Sequence, residues 1–191
     1  MGQIGKAAET ALTGSASIPR ERVVAWCHQA QDVCTLATLY RLTTEAYDRI
    51  EPELGMRETC GLIRRYLLEC IRADPRDGIA FTRYEAASTL EVWFDHLSDV
   101  PEDTTEILRE SVQALTSLYL GSSPAVRSAI GAGFLEHVLE QERFRPLFQH
   151  WQSDERLREP WEAALAWGKS HPNFTKSLRA ELRGLRDERA V

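Results

Sequence analysis

Five histidines and four cysteines are the side chains of this 191-residue sequence best equipped for chemistry. A histidine held by a carboxylate can act as a general base near neutral pH, and His96 and His137 directly follow Asp95 and Glu136. Neighbours on a helix point about 100° apart, so neither carboxylate can orient the ring beside it. Trp93 and Val92 lie three and four residues before His96, and Phe134 and Gly133 stand likewise to His137. Both rings are therefore expected at the edge of an apolar stripe, as structural and not catalytic groups. Cys27-His28 resembles a nucleophile and base, but adjacency on a helix gives the wrong geometry. A di-iron bundle needs Glu three residues before His, whereas Ala25, Trp93, Phe134, Leu147 and Gly168 occupy those positions.

Other familiar chemistries are also missing. The sequence has no His-Glu-x-x-His, no zinc-type Cys/His spacing and no phosphate-loop motif. Gly131-Ala-Gly133 lies inside a helical pattern without a preceding strand, so it reads as a small-residue packing seam. Cys27, Cys34, Cys60 and Cys70 form no Cys-x-x-Cys pair. They are expected to be reduced thiols in a cytosolic protein. The expectation is no catalytic residue, no metal and no cofactor.

The elements that would position these residues are helices. Ser17 is placed to cap a helix with Pro19 in its first turn. A second helical stretch runs over about 32–50, with Val33, Leu36, Leu39, Tyr40 and Tyr47 on one face. A third covers 57–73 and stops at Asp74-Pro75. Thr82 and Glu85 form a capping-box signature that opens a helix presenting Ala86, Leu90, Trp93, Phe94 and Leu97 to a core. Asp103 and Glu106 mark a similar start, Gly121 a stop, and Ser123-Pro124 another start. A final amphipathic helix is expected from Asn173 through Leu178, Leu182 and Leu185.

Strand alternation is nearly absent. The reading is an all-α protein of seven to nine helices. Residues 1–17 are expected as a flexible N-terminal segment and 18–191 as one domain, with a possible sub-boundary near 74–80. Trp93-Phe94-Asp95-His96-Leu97 matches Phe134-Leu135-Glu136-His137-Val138 in kind, 41 residues later. That period fits a short HEAT-like repeat, with an irregular helical bundle as the alternative.

Charge is unevenly placed along the chain. Residues 91–110 hold seven acids, Glu91, Asp95, Asp99, Glu102, Asp103, Glu106 and Glu110, against the single base Arg109. That is as much charge as the whole chain's net −6, so the remainder balances. The acids are either a docking surface for a basic partner or a solvated loop and helix start. A pI near 5.5 argues against general nucleic-acid binding. The basic run 176–189 alternates in sign and reads as a solvated amphipathic helix. No apolar run is long enough to span a bilayer, so neither nucleic acid nor membrane is expected as a partner. Phe148, Trp151 and Trp161 lie in an aromatic-rich stretch and are secondary candidates for partner anchors.

The stretch 123–172, with SPAVRSAIGAGFLEHVLEQERFRPLFQHWQ at its heart, resembles the helical immunity-type proteins of bacteria. These are encoded beside polymorphic toxins and neutralise them by binding. The resemblance implies an all-α fold, cytosolic residence and a toxin or effector protein as partner, and it carries over no functional residue. Two functions follow as expectations. One is a non-enzymatic immunity protein docking through its acidic surface. The alternative is a small all-α enzyme or ligand-binding regulator with a pocket near His96 and His137.

Overall fold

The computed structural model describes residues 2–76, 78–100 and 102–172. The fold is all-α, 79% helical, with nine helices among the described residues when the continuous α7–α8 rod is counted once. In chain order these are α1 (Gln3–Thr13), α2 (Arg20–Gln29), α3 (Val33–Glu45), α4 (Met56–Ala73), α5 (Arg83–Asp99) and α6 (Thr105–Leu120). The next rod joins α7 (Pro124–Ile130) through a π turn (Gly131–Leu135) to α8 (Glu136–Glu140). A 3-10 segment (Glu142–Phe148), α9 (Gln149–Ser153) and α10 (Glu155–Ser170) follow. The expected helix beyond Asn173, and with it the basic run, lies outside the described residues.

Local chemistry accounts for several boundaries. The Glu85 carboxylate accepts from the Thr82 N–H at 2.8 Å and from the Thr82 hydroxyl at 2.7 Å, fixing the start of α5. Asp32 accepts from the Thr35 N–H at 2.9 Å and opens α3. Pro124 sits at the first position of α7, where its missing N–H costs nothing. Asp103 Oδ1 accepts from the Thr105 N–H at 3.0 Å, just ahead of α6.

Three expectations at the N-terminal end are corrected. The segment expected to be flexible forms α1, with Ala8 fully buried and packed in the core. Ser17 does not cap a helix, since its hydroxyl donates to Glu51 at 2.9 Å. The strands β1 (Ile18–Pro19) and β2 (Ile50–Glu51) pair in parallel beside it, the only sheet among the described residues. The stretch expected as helix to residue 50 ends at Glu45 and turns through a 3-10 segment (Tyr47–Arg49), leaving Tyr47 65% exposed. Pairing of Ile50 with Ile18 pulls the chain out of the helical path.

Several C-terminal helix carbonyls are satisfied by arginines from outside the helix. Arg49 reaches the α1 end, donating to Ala11 O at 2.7 Å and Leu12 O at 3.1 Å. Arg65 donates to Cys27 O and Ala30 O at the end of α2. Arg145 donates to Leu139 O at 2.9 Å and Glu140 O at 3.3 Å at the end of α8. Arg83 donates to Ile71 O at 2.7 Å and Arg72 O at 3.3 Å, closing α4. The last carbonyls of a helix have no intrahelical donor and carry its negative dipole end, so a guanidinium suits them twice over. Arg83→Ala should therefore cost about 1.5–3 kcal/mol, the usual value of hydrogen bonds to a charged group, read as a lowered denaturation midpoint.

The same arginine bridges the expected sub-boundary. Asp74, in the left-handed region at φ 53°, accepts from the Arg83 N–H at 3.0 Å. Tyr66 Oη accepts from the Phe81 N–H at 3.2 Å. Buried residues on both sides of 74–80 form one continuous core.

The C-terminal half of that core is aromatic. Phe94 meets Phe134 edge-on at 5.0 Å and Phe144 at 6.0 Å, and Phe148 contacts Phe134 and Trp151. The two halves of the 41-residue echo thus pack on each other. The echo covers one helix of each unit only: α5 and the α7–α8 rod both span 17 positions, but α6 has no single-helix counterpart, its place being taken by the 3-10 segment and α9. At Gly133 the rod packs tightly against α5. A Cβ added there would lie 2.8 Å from Ala87 Cβ, so Gly133 behaves as the expected seam, whereas one added at Gly131 would meet nothing within 4 Å.

Candidate protein-binding surface

Tertiary pairing divides the acidic segment into spent and exposed charges. Glu91 is only 4% exposed, with Gln141 Nε2 donating to it at 3.5 Å. Asp95 and Asp99 share Arg143, whose guanidinium also lies 4.8 Å over the Phe144 ring. Glu110 lies between Arg57 and Arg64 of α4, and the Arg64 hydrogen bond holds its carboxyl below the usual range. These pairs neutralise both flanks of the band. Glu91 is therefore no docking residue, and Asp95 and Glu110 serve mainly as internal ties.

What stays outside is the corner between α5 and α6. Asp99, Glu102, Asp103 and Glu106 are all exposed there. Asp103 is held below the ordinary carboxylate range by the Thr105 N–H it caps. Glu106 faces Arg109 at 3.4 Å with both side chains in solvent, a pair that screening makes weak. Asp99 is 65% exposed despite its bond to Arg143. Val92, 51% exposed, and His96 continue from this corner along the outer face of α5.

The aromatic candidates lie elsewhere. Phe148 and Trp151 are fully buried and Trp161 is 6% exposed. Trp151 Nε1 donates to Thr116 Oγ1 at 2.8 Å, so even its polar edge is used inside. None of the three can anchor a partner. They fill the core beside Leu135, Leu139 and Leu157, which are fully buried too.

The histidine expectation holds in part. His137 packs edge-on against Trp167 at 4.9 Å, and burial lowers its pKa. His96, expected at a core edge, stands in solvent because Val92 beside it does not join the core. Neither ring lines the two cavities described next.

The larger cavity is an open groove of about 890 Å³ between the 74–85 segment and α7. Its walls include Ile79, Tyr84, Ala125 and Ser128, and Tyr84 Oη lies 3.3 Å from Ser128 Oγ. Ile79 and Tyr84 are more than half exposed, a feature no sequence pattern announced. The smaller cavity, about 250 Å³, lies between α2 and α4 and is lined by Cys27, His28, Leu54, Glu58 and Arg65 among others. Burial pushes the Cys27 thiol up to about 11, so it is protonated and a poor nucleophile at neutral pH. Glu58 is held by Arg20 in a bidentate pair at 2.7 and 2.9 Å.

Among the described residues, no group of three or more His, Cys, Asp or Glu is placed to hold a metal ion. No described helix is long and apolar enough to cross a membrane. Comparison with family models, curated proteins and solved structures finds no match.

Proposed function

We propose that this chain is a non-enzymatic protein-binding module of the immunity type, which neutralises a cognate toxin or effector by covering it. The observation that carries the reading is the α5–α6 corner. After Arg143, Arg57 and Arg64 have taken up their partners, Asp99, Glu102, Asp103 and Glu106 still project from one short connection. A compact negative corner raises encounter rates with a basic surface. The exposed Val92 and His96 beside it supply a less polar contact once the partner has arrived.

The chemistry of the other candidates supports the same reading. Cys27 is protonated, His137 is packed against Trp167, and His96 is exposed on the outer face of α5. The test is co-expression with the protein encoded by the neighbouring gene in a host that this protein harms. Restored growth, together with a complex that survives purification, is the expected result. Growth inhibition that persists at equal expression of both proteins would overturn the proposal.

A further inference from the structure

Helices α2 and α4 lie side by side, tied by arginines at two points and parted between them. Arg20, at the start of α2, holds Glu58 of α4 in a bidentate pair at 2.7 and 2.9 Å. Seven residues further along both helices, Arg65 of α4 donates to Cys27 O. Both ties join residues 38 apart in sequence, so the two helices advance in the same direction. Arg65 also reaches Ala30 O, just past the end of α2. The cleft of about 250 Å³ opens between these ties.

Gly61 is what leaves the space. It falls between Glu58 and Arg65 inside α4, and a Cβ added there would meet nothing within 4 Å. Neither a left-handed backbone nor a close neighbour therefore calls for glycine at this position. Glycine is also the poorest helix former after proline, so the residue weakens α4 and gains no contact by doing so. Its one structural effect is the room between the two helices.

The walls and the rim of the cleft differ in chemistry. Val24, Leu54 and Leu62 line it together with Gly61. Burial pushes the Cys27 thiol beside them up to about 11, so that wall is uncharged at neutral pH. At the rim the charges do not balance. Glu58 is taken up by Arg20 and by the Gly55 N–H at 2.9 Å, and Arg57 pairs with Glu110. Arg65 differs, since among the described residues its hydrogen bonds go to neutral carbonyls and no carboxylate pairs with it. A guanidinium has more donors than those two bonds use, so Arg65 keeps both N–H groups and a full positive charge for an anion. His28 lines the same cleft and adds a ring N–H.

We infer that the cleft between α2 and α4 binds a small apolar monocarboxylate, its carbon chain between Val24, Leu54, Gly61 and Leu62 and its carboxylate on the Arg65 guanidinium. The volume lies below the ~300 Å³ at which pockets for drug-sized ligands begin, so the occupant is a short chain. A bound molecule fills the gap that the two ties hold open, and stabilises the fold by mass action. None of the four acids of the α5–α6 corner lines the cleft, so this inference stands or falls apart from the docking role.

Isothermal titration calorimetry of the full chain with octanoate, octan-1-ol and octan-1-amine reads the site and its charge preference together. Octanoate should bind once per chain, at least tenfold more tightly than the neutral or the cationic analogue. R65Q should bring octanoate down to the level of the alcohol. G61L should plug the cleft and weaken octanoate at least tenfold, while keeping a helical circular dichroism spectrum and melting no lower than the parent. Absence of saturable octanoate binding by the parent would overturn the inference. So would an alcohol or amine that binds as tightly as the acid, or a folded G61L or R65Q that binds octanoate as the parent does. The comparison of the three ligands needs no variant, so it decides even where a substitution disturbs the fold.

Discussion

Replacing Trp151 with Ala should destabilise the fold by about 3–5 kcal/mol, the usual cost of truncating a buried aromatic. The ring is fully buried and contacts Tyr119 at 5.0 Å and Phe148 at 5.9 Å. Its Nε1–H also satisfies the Thr116 hydroxyl at 2.8 Å, a bond that truncation removes. In a protein of this size such a loss corresponds to a melting-point drop of roughly 10 °C. A scanning calorimetry trace shifted by less than about 3 °C would show that the ring is not the core residue described. The measurement separates two roles, because an exposed anchor would leave stability intact and weaken only partner binding.

Gly133→Val should be nearly as damaging, for the opposite reason. The position needs no special backbone conformation, since the π turn containing it follows a right-handed path. It needs empty space: even a single Cβ would lie 2.8 Å from Ala87 Cβ, and 3.7 Å from Tyr84 O. Forcing α5 and the rod apart disturbs the Phe94–Phe134 contact one residue away, and overpacking of this kind costs about 1–3 kcal/mol. Gly133→Ala should cost less, and combining it with Ala87→Gly should recover most of the loss. A double variant no more stable than Gly133→Ala would place the strain elsewhere.

Much of the fold was legible because its signals are local. Thr82 with Glu85 and Pro124 at a helix start act within one turn, and the apolar spacing of Leu90, Trp93, Phe94 and Leu97 reports the buried face directly. The N-terminal helix was missed although Ile4, Ala8, Ala11 and Leu12 recur at helical spacing, because Gly2 supplies no capping side chain and the buried residues are mostly small. Arginine closure of helix ends was invisible for a related reason. The acceptors are backbone carbonyls, and the donor lies 35 to 38 residues away for Arg49 and Arg65.

The acidic segment shows the same limit at the site. Its composition located seven acids correctly, yet their exposure depends on Arg143, 44 residues beyond Asp99, and on Arg57 and Arg64, 53 and 46 residues before Glu110. Only folding brings those partners together, so a band of seven becomes a corner of four. The aromatic candidates failed likewise, since side-chain type does not say whether an indole fills a core or faces a partner.

The most direct test of the binding role is the association rate with the purified product of the neighbouring gene, measured by stopped flow across a range of salt. Glu102→Lys combined with Glu106→Lys reverses the corner while leaving the Asp103 cap and the Asp99–Arg143 bond in place. The account predicts that the wild-type rate falls as salt rises, because screening shortens to about 8 Å at physiological strength. It also predicts that the variant associates at least tenfold more slowly at low salt with unchanged stability. A salt-insensitive wild type whose rate the double reversal leaves untouched would contradict it.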